Sequence, residues 1–276
     1  MKRRRVTQIF PFLLPLRRWQ RKQFFYLKMH FDGRSYAEKR VDVQLPYQIF
    51  ETSSLMINQN SGYDIQYQQN KVHNLKLAAA TFQGLVIRPG QTFSFWKCAR
   101  QADKKEPYKD GLVLINGKIV GEYGGGLCQI STMLYWMFLH TPLTIVERHG
   151  HQKESLPPNA EMPCGTDATI NEGWLDLKVQ NNTPDLFQIG IGFDSDYMYG
   201  SIFSDRESFY NYTIYNKSVS YFREKGKIYL EASVDCLKSD KTGQKNKDIH
   251  LYNTVHEVEY ELPEDIIIIN KGDGLK

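Results

Sequence analysis

The run Gly124-Gly125-Gly126-Leu127-Cys128-Gln129-Ile130-Ser131-Thr132 constrains this chain more than any other stretch. Three consecutive glycines permit a tight turn that residues carrying a Cβ resist. A segment of helical periodicity follows at once: Leu127, Ile130, Leu134, Met137 and Phe138 recur on one apolar stripe, and His140-Thr141-Pro142 ends it. Turn and helix together put Cys128 in the first helical turn. There, unpaired backbone N–H groups and the positive end of the helix dipole favour thiolate over thiol. Cys128, Ser131, Thr132 and Tyr135 fall at i, i+3, i+4 and i+7, on a second, polar-tipped stripe. The sulfur is therefore expected to be reachable, with the three hydroxyls on the helix surface or lining a cleft beside it.

Downstream, Leu143 to His151 reads as a strand. Period 2 places Ile145, Glu147, His149 and His151 on one side, successive members about 7 Å apart. A loop opens at Pro157-Pro158 and runs to Asp167. A cysteine nucleophile, a histidine base such as His151 and a carboxylate, Asp167 or Glu147, to orient the imidazole are the parts of a thiol acyl-transfer site. The backbone N–H groups of Gly124, Gly125, Gly126 and Cys128 are candidate oxyanion donors. Gln129 is another, although adjacent helix positions diverge by about 100°. Glu147 and His149 join Ser131, Thr132 and Tyr135 as cleft candidates. Two other readings stay open on the residues alone. His149-x-His151 with Cys128 and a carboxylate is a zinc-type donor set. Alternatively the glycines are structural, Cys128 is a small buried residue, and the protein binds without catalysing. No cofactor is implied.

Around this centre, Asn74–Gln83 reads as a helix closed by Gly84 at C′. Leu85–Ile87, Thr92–Phe95, Ala168–Ile170 and Trp174–Val179 read as strands, and Leu112–Ile115 pairs with Lys118–Val120 around Asn116-Gly117. Trp136 and Trp174 are expected in the core. From Pro184 the composition turns tyrosine-rich and β-patterned. The expected organisation is a basic arm with first strands at 1–70, a Cys/His core domain at 71–183 and a β-rich extension at 184–276. The fold class is α+β, with the Cys-bearing helix packed on an antiparallel sheet.

With 276 residues, 41% hydrophobic and 24% charged, the chain is globular rather than disordered. A net charge of +4, with no stacking-aromatic or basic motif, excludes nucleic acid as the expected partner. The charge is concentrated, however: Lys2, Arg3, Arg4, Arg5, Arg17, Arg18, Arg21, Lys22 and Lys28 precede the first acidic residue, Asp32. The apolar run Ile9–Leu16 is broken by two prolines, too short to span a bilayer, and lacks a small-residue cleavage site. This start is expected to be a solvated, partly disordered arm able to touch anionic lipid peripherally. The expected location is the cytoplasm or the inner face of the membrane, and outside the membrane if its substrate lies there. The four cysteines are widely spaced and expected reduced. Cys98 and Cys236 read as fillers, and Cys164 as a loop residue that approaches the site.

Gly124-Gly125-Gly126-x-Cys128-Gln129-x-Ser131, the earlier Pro89-Gly90-Gln91-Thr92-Phe93-Ser94-Phe95, and the later Asp167-Ala168-Thr169-Ile170 with Trp174-Leu175-Asp176-Leu177-Lys178 resemble the VanW family. The likeness covers roughly 70–183, and the basic start is similar as well. The resemblance implies a role in cell-wall or glycopeptide-resistance biology. Some exported family members, joined to wall-binding modules, act as peptidoglycan L,D-transpeptidases through the motif cysteine. On that likeness Cys128 is the nucleophile, and His151 matches the histidine of Glu-Arg-x-x-His at 147–151 as base, His149 being the more variable position. The implied partner is a peptidoglycan stem peptide or precursor: a tetrapeptide donor loses D-Ala, and the acyl group passes to a diaminopimelate or lysine amine, or to water. The alternative implied by the same likeness is an accessory protein that binds precursors or a resistance partner.

Overall fold

The computed structural model describes residues 10–59, 62–115, 118–154, 162–242 and 246–270. Among these are four α-helices, α1 (Leu14–Phe31), α2 (Ile65–Phe82), α3 (Phe95–Ala99) and α4 (Cys128–Leu139). Fifteen strands run from β1 (Ser35–Tyr36) to β15 (Ile268–Asn270). The α+β expectation holds, and so does the packing of the cysteine helix on an antiparallel sheet. That sheet has the order β2-β11-β10-β3, built from β2 (Tyr47–Leu55), β3 (Val86–Ile87), β10 (Phe187–Phe193) and β11 (Tyr197–Ser204). α4 lies against β2 and β11. The approach is close because Gly200 faces the helix: a Cβ there would sit 2.4 Å from the Met137 sulfur. All five residues of the predicted apolar stripe are buried, and Phe138 meets Phe93 with ring centroids 5.1 Å apart, tying α4 to the core.

A second sheet, β1-β4-β9-β7, carries the site loops through β4 (Gln91–Ser94), β7 (Thr144–Glu147) and β9 (Lys178–Gln180). The hairpin β5 (Asp110–Ile115)/β6 (Lys118–Tyr123) pairs as expected, while its Asn116-Gly117 turn, like Pro157-Pro158, lies outside the described residues. The C-terminal β-rich part is a twisted sheet, β15-β12-β13-β14-β8, dominated by the long strands β12 (Tyr210–Glu224), β13 (Lys227–Asp240) and β14 (Asn246–Val258). Its edge strand β8 (Lys153–Glu154) comes from the segment just after His151 and runs parallel to β14.

Several local expectations need correction. The N-terminal segment is helical from Leu14 to Phe31, with Pro15 in its first turn, where the missing N–H costs nothing. It docks through Tyr26, whose hydroxyl reaches Glu172 at 2.6 Å, and through buried Met29. α2 begins nine residues before the predicted start because Asp64 caps it, accepting from the Gln66 N–H at 2.9 Å. The strand expected to reach His151 ends at Glu147 after a bulge, so period 2 does not carry on to the histidines. Residues 168–170 are extended without a ladder partner, and 171–175 close a turn, leaving β9 to start only at Lys178. That turn pushes Trp174 out to 61% exposure, against the core position expected; Trp136 is buried. Finally, hydrogen bonding crosses both 70 and 183: β1 and β2 pair with β4 and β11, and β10 with β3.

Candidate active site

The glycine run makes the turn that presents Cys128. Gly124 and Gly126 have φ of +72° and +93°, and Gly125 lies against the Gly111 backbone so closely that a Cβ would be 2.1 Å from its carbonyl oxygen. α4 then starts at Cys128 itself. The N–H groups of Gly124 and Gly125 are spent on the carbonyls of Lys109 and Glu122, so these two glycines shape the turn and donate nothing to an oxyanion. The Cys128 N–H, at the open helix end, makes no hydrogen bond among the described residues.

Cys128 is half-buried and opens on a cavity of about 260 Å³ that it shares with Gln129, Thr132, Trp136, His151 and Met162. The His151 ring sits beside the sulfur in this cavity, and the hydrogen bond the sulfur makes is to Thr169 Oγ1, 3.6 Å away. The Nδ1 of the same ring lies 2.5 Å from Asp167 Oδ2, and the His151 N–H donates to that oxygen at 2.7 Å. Nε2 is therefore the nitrogen left for the sulfur. The other Asp167 oxygen receives Arg148 Nη2 at 2.8 Å, and Arg148 also holds the Asp167 carbonyl through Nε at 2.6 Å. Imidazole, carboxylate and guanidinium thus form one chain of hydrogen bonds beside the sulfur.

Electrostatics follow that chain. Burial pushes the Cys128 thiol up, but the His151 ring, the Ile170 N–H and the Thr169 hydroxyl outweigh it, and the thiol is held below its ordinary range. Burial pulls His151 down, but its bonds to Asp167 and Cys128 outweigh this and hold it at about 10. Asp167, raised by burial and lowered by His151 and Arg148, ends below the usual carboxylate range. Both shifts run toward a thiolate–imidazolium pair, the reactive form of a cysteine nucleophile.

The remaining sequence candidates divide. Thr132 lines the cavity, and its Oγ1 accepts the Ala168 N–H at 3.1 Å. Ser131 and Tyr135 are buried and do not line the cavity beside the thiol: Ser131 donates to the Ala168 carbonyl at 2.5 Å, and the Tyr135 hydroxyl donates to that of Tyr252 at 3.0 Å. The polar stripe of α4 is thus a strap that fixes the 165–170 segment beside the sulfur. Gln129 borders the cavity, but its amide donates to Ser54 Oγ and the Leu55 carbonyl of β2, which takes it away from an oxyanion role. Glu147 binds Lys178 and His149, at 2.8 and 3.1 Å. Asp167, and not Glu147, is therefore the carboxylate that orients His151. With His149 on Glu147, the Cys/His zinc set is not assembled, and among the described residues no group of three or more His, Cys, Asp or Glu is placed to hold a metal. All four cysteines are free; Cys164 is anchored to β12, its N–H donating to Asn216.

Sequence reasoning missed the support from the C-terminal sheet. His256 Nδ1 donates to the His151 carbonyl, and its other nitrogen meets Thr254 Oγ1 at 2.6 Å. Tyr252 donates to the Gly165 carbonyl at 3.0 Å and stacks its ring under Arg148, 4.6 Å away. A further omission is Asp176, wholly buried, which accepts Ser94 Oγ and the N–H groups of Trp96 and Leu177. Burial raises its carboxyl to about 6. Its position in the motif Trp174–Lys178 was the one available signal.

A family model described as VanW-like protein matches residues 70–203. The vancomycin B-type resistance protein VanW of Enterococcus faecalis is 48% identical over 270 residues, covering 97% of this chain and 98% of that protein. The uncharacterized protein YoaR of Bacillus subtilis is 30% identical over 164 residues, covering 57% of this chain and 52% of that one. No solved structure matches significantly.

Proposed function

The chain belongs to the VanW family, and from that premise we propose that it serves glycopeptide resistance as a cysteine-dependent acyltransferase of the L,D-transpeptidase type, acting on peptidoglycan stem peptides. The observation that carries this reading is that Cys128 and His151 line one cavity, with Asp167 bound to the far side of the imidazole, the thiol held low and the imidazole high. Each part has a step to perform. The Cys128 thiolate attacks the carbonyl carbon before the terminal D-Ala, forming a C–S bond and a tetrahedral oxyanion. The Cys128 N–H at the helix start, with the dipole behind it, stabilises the negative oxygen. Protonated His151 gives its Nε2 proton to the departing D-Ala amine as the C–N bond breaks, leaving a thioester. The acceptor amine, or water, then attacks the thioester; His151 takes its proton, and the thiolate leaves. Asp167 keeps the proton on Nδ1 throughout and stabilises the imidazolium, and Arg148 fixes Asp167.

The test is intact-protein mass spectrometry after incubation with disaccharide-tetrapeptide muropeptide. A disaccharide-tripeptide adduct on wild type, absent from Cys128→Ala and accompanied by free D-Ala, is the expected result. No adduct, together with slow alkylation of Cys128, would move the reading to an accessory protein that binds precursors.

A further inference from the structure

The same helix that corrects the expected N-terminal arm carries a surface that the Cys128 site does not use. α1 touches the body along one line, through Lys22, Phe25, Tyr26 and Met29, with Arg21 reaching over the exposed Trp174 ring at 5.6 Å. With 3.6 residues per turn, Leu16, Leu27, Phe31 and Phe24 fall on the side away from that line, with Trp19 exposed at its flank beside Tyr26. These apolar side chains are out in solvent, with exposures of 59% at Trp19, 68% at Phe24 and 76% at Phe31. Phe12, in the turn just before the helix, adds another. Along one edge of the stripe run Arg17, Arg21 and Lys28, and no acidic residue occurs before Asp32. An unpartnered stripe of Trp, Phe and Leu bordered by cations is the pattern of a helix that lies in a membrane interface.

We propose that α1 docks this protein on an anionic lipid surface, its Leu16–Phe24–Leu27–Phe31 side sinking into the headgroup boundary and its basic edge meeting phosphate. Among the described residues no helix is long and apolar enough to cross a membrane. Charge decides against a second copy of the chain as the occupant. A two-fold contact through the stripe would bring each basic edge to its own image, with no acidic residue on the helix to answer it. Anionic lipid answers it directly. The docked helix is also wired to the site segment, because Tyr26 and Lys22 both bind Glu172, five residues after Asp167.

The experiment is co-sedimentation of the full chain with vesicles of phosphatidylcholine alone or mixed with phosphatidylglycerol. Binding to the mixed vesicles only is expected. Arg17→Gln/Arg21→Gln/Lys28→Gln is expected to weaken partitioning about a hundredfold, from three cations each contributing near the surface. Leu16→Gln/Trp19→Gln/Leu27→Gln is expected to abolish it with unchanged thermal melting. A blue shift of tryptophan emission on binding, absent from Trp19→Phe, reports insertion without a destabilising change. Sedimentation with neither vesicle overturns the proposal. So does binding that survives loss of the apolar stripe, and so does self-association through the stripe in place of lipid binding.

Discussion

At the scale of single residues, the decisive pair is Cys128 and His151, and its charge state is testable without knowing any substrate. An ordinary thiol ionises near pH 8.5. Cys128 is held below its ordinary range by His151, Ile170 and Thr169 against the opposing effect of burial. Its alkylation by iodoacetamide should therefore remain fast at pH values where a free cysteine has slowed, with the midpoint of the rate profile below about 8.5. In His151→Gln the midpoint should move upward, since the largest stabilising partner of the thiolate is gone. An unchanged profile in that variant would mean the ring does not set the thiol's charge. Asp167→Asn probes the next link. The carboxylate accepts the Nδ1 proton and, with Arg148 behind it, fixes the tautomer that leaves Nε2 for sulfur. Acyl transfer should fall on the order of 10³–10⁴-fold, as when a triad loses its correct tautomer, while the melting temperature moves far less than activity does. A comparable loss in Glu147→Gln would contradict the assignment, because Glu147 answers to Lys178 and His149.

At the scale of elements, α4 does two jobs with its two stripes. The apolar one anchors the helix in the core; the polar one straps the segment that carries Asp167 and Thr169. Ser131 is wholly buried, and its hydroxyl is bound to the Ala168 carbonyl at 2.5 Å. Ser131→Ala removes that donor and leaves a buried carbonyl short of a partner, a loss of about 1–3 kcal/mol of stability. Urea unfolding of the variant measures it, and a change under 0.5 kcal/mol would show the strap to be dispensable. The helix was legible in the sequence because its causes are local: three glycines before it, a 3.6-residue stripe, a proline after it. α1 was not, because two prolines break its apolar start, and the line that holds it to the body has only four residues. The turn at 171–175 was invisible for a related reason. Trp174-Leu175-Asp176-Leu177 alternates like a strand, but Asp176 is drawn inward by three donors from β4, α3 and Leu177, and this folds the preceding residues back. In the sequence His151 is the base on motif likeness and Asp167 stands beside Glu147 as the orienting carboxylate, while the strand geometry invoked to align the histidines does not form.

At the scale of the whole molecule, the C-terminal sheet is part of the site. β8 grows directly from the loop after His151 and pairs with β14, and β14 returns Tyr252, Thr254 and His256 to the backs of Arg148 and His151. This dependence could not be read from the sequence, since it joins residues about a hundred positions apart and uses ordinary strand residues. His256 gives it a measurable pH signature. The ring is 1% exposed, and burial depresses its basicity, with Arg148 and protonated His151 nearby adding to the effect. A histidine whose folded value lies below its unfolded one, about 6.5, contributes stability that is intact above that pH and is lost as pH falls through the folded value. His140, buried against Phe50, is depressed in the same direction and adds its own share. The share of wild-type stability owed to these two rings should therefore decline as pH is lowered from about 7 to 5, opposed by Asp176 and His151, whose raised values favour the protonated folded state. In His256→Gln the decline should be shallower, leaving the part due to His140, although the variant is less stable at pH 7 for want of the bond to the His151 carbonyl. The same variant should alkylate Cys128 more slowly at pH 7, because an unanchored His151 pairs less well with the sulfur. Parallel slopes for wild type and variant would place the acid sensitivity elsewhere, and unchanged alkylation would separate the C-terminal sheet from the chemistry at Cys128.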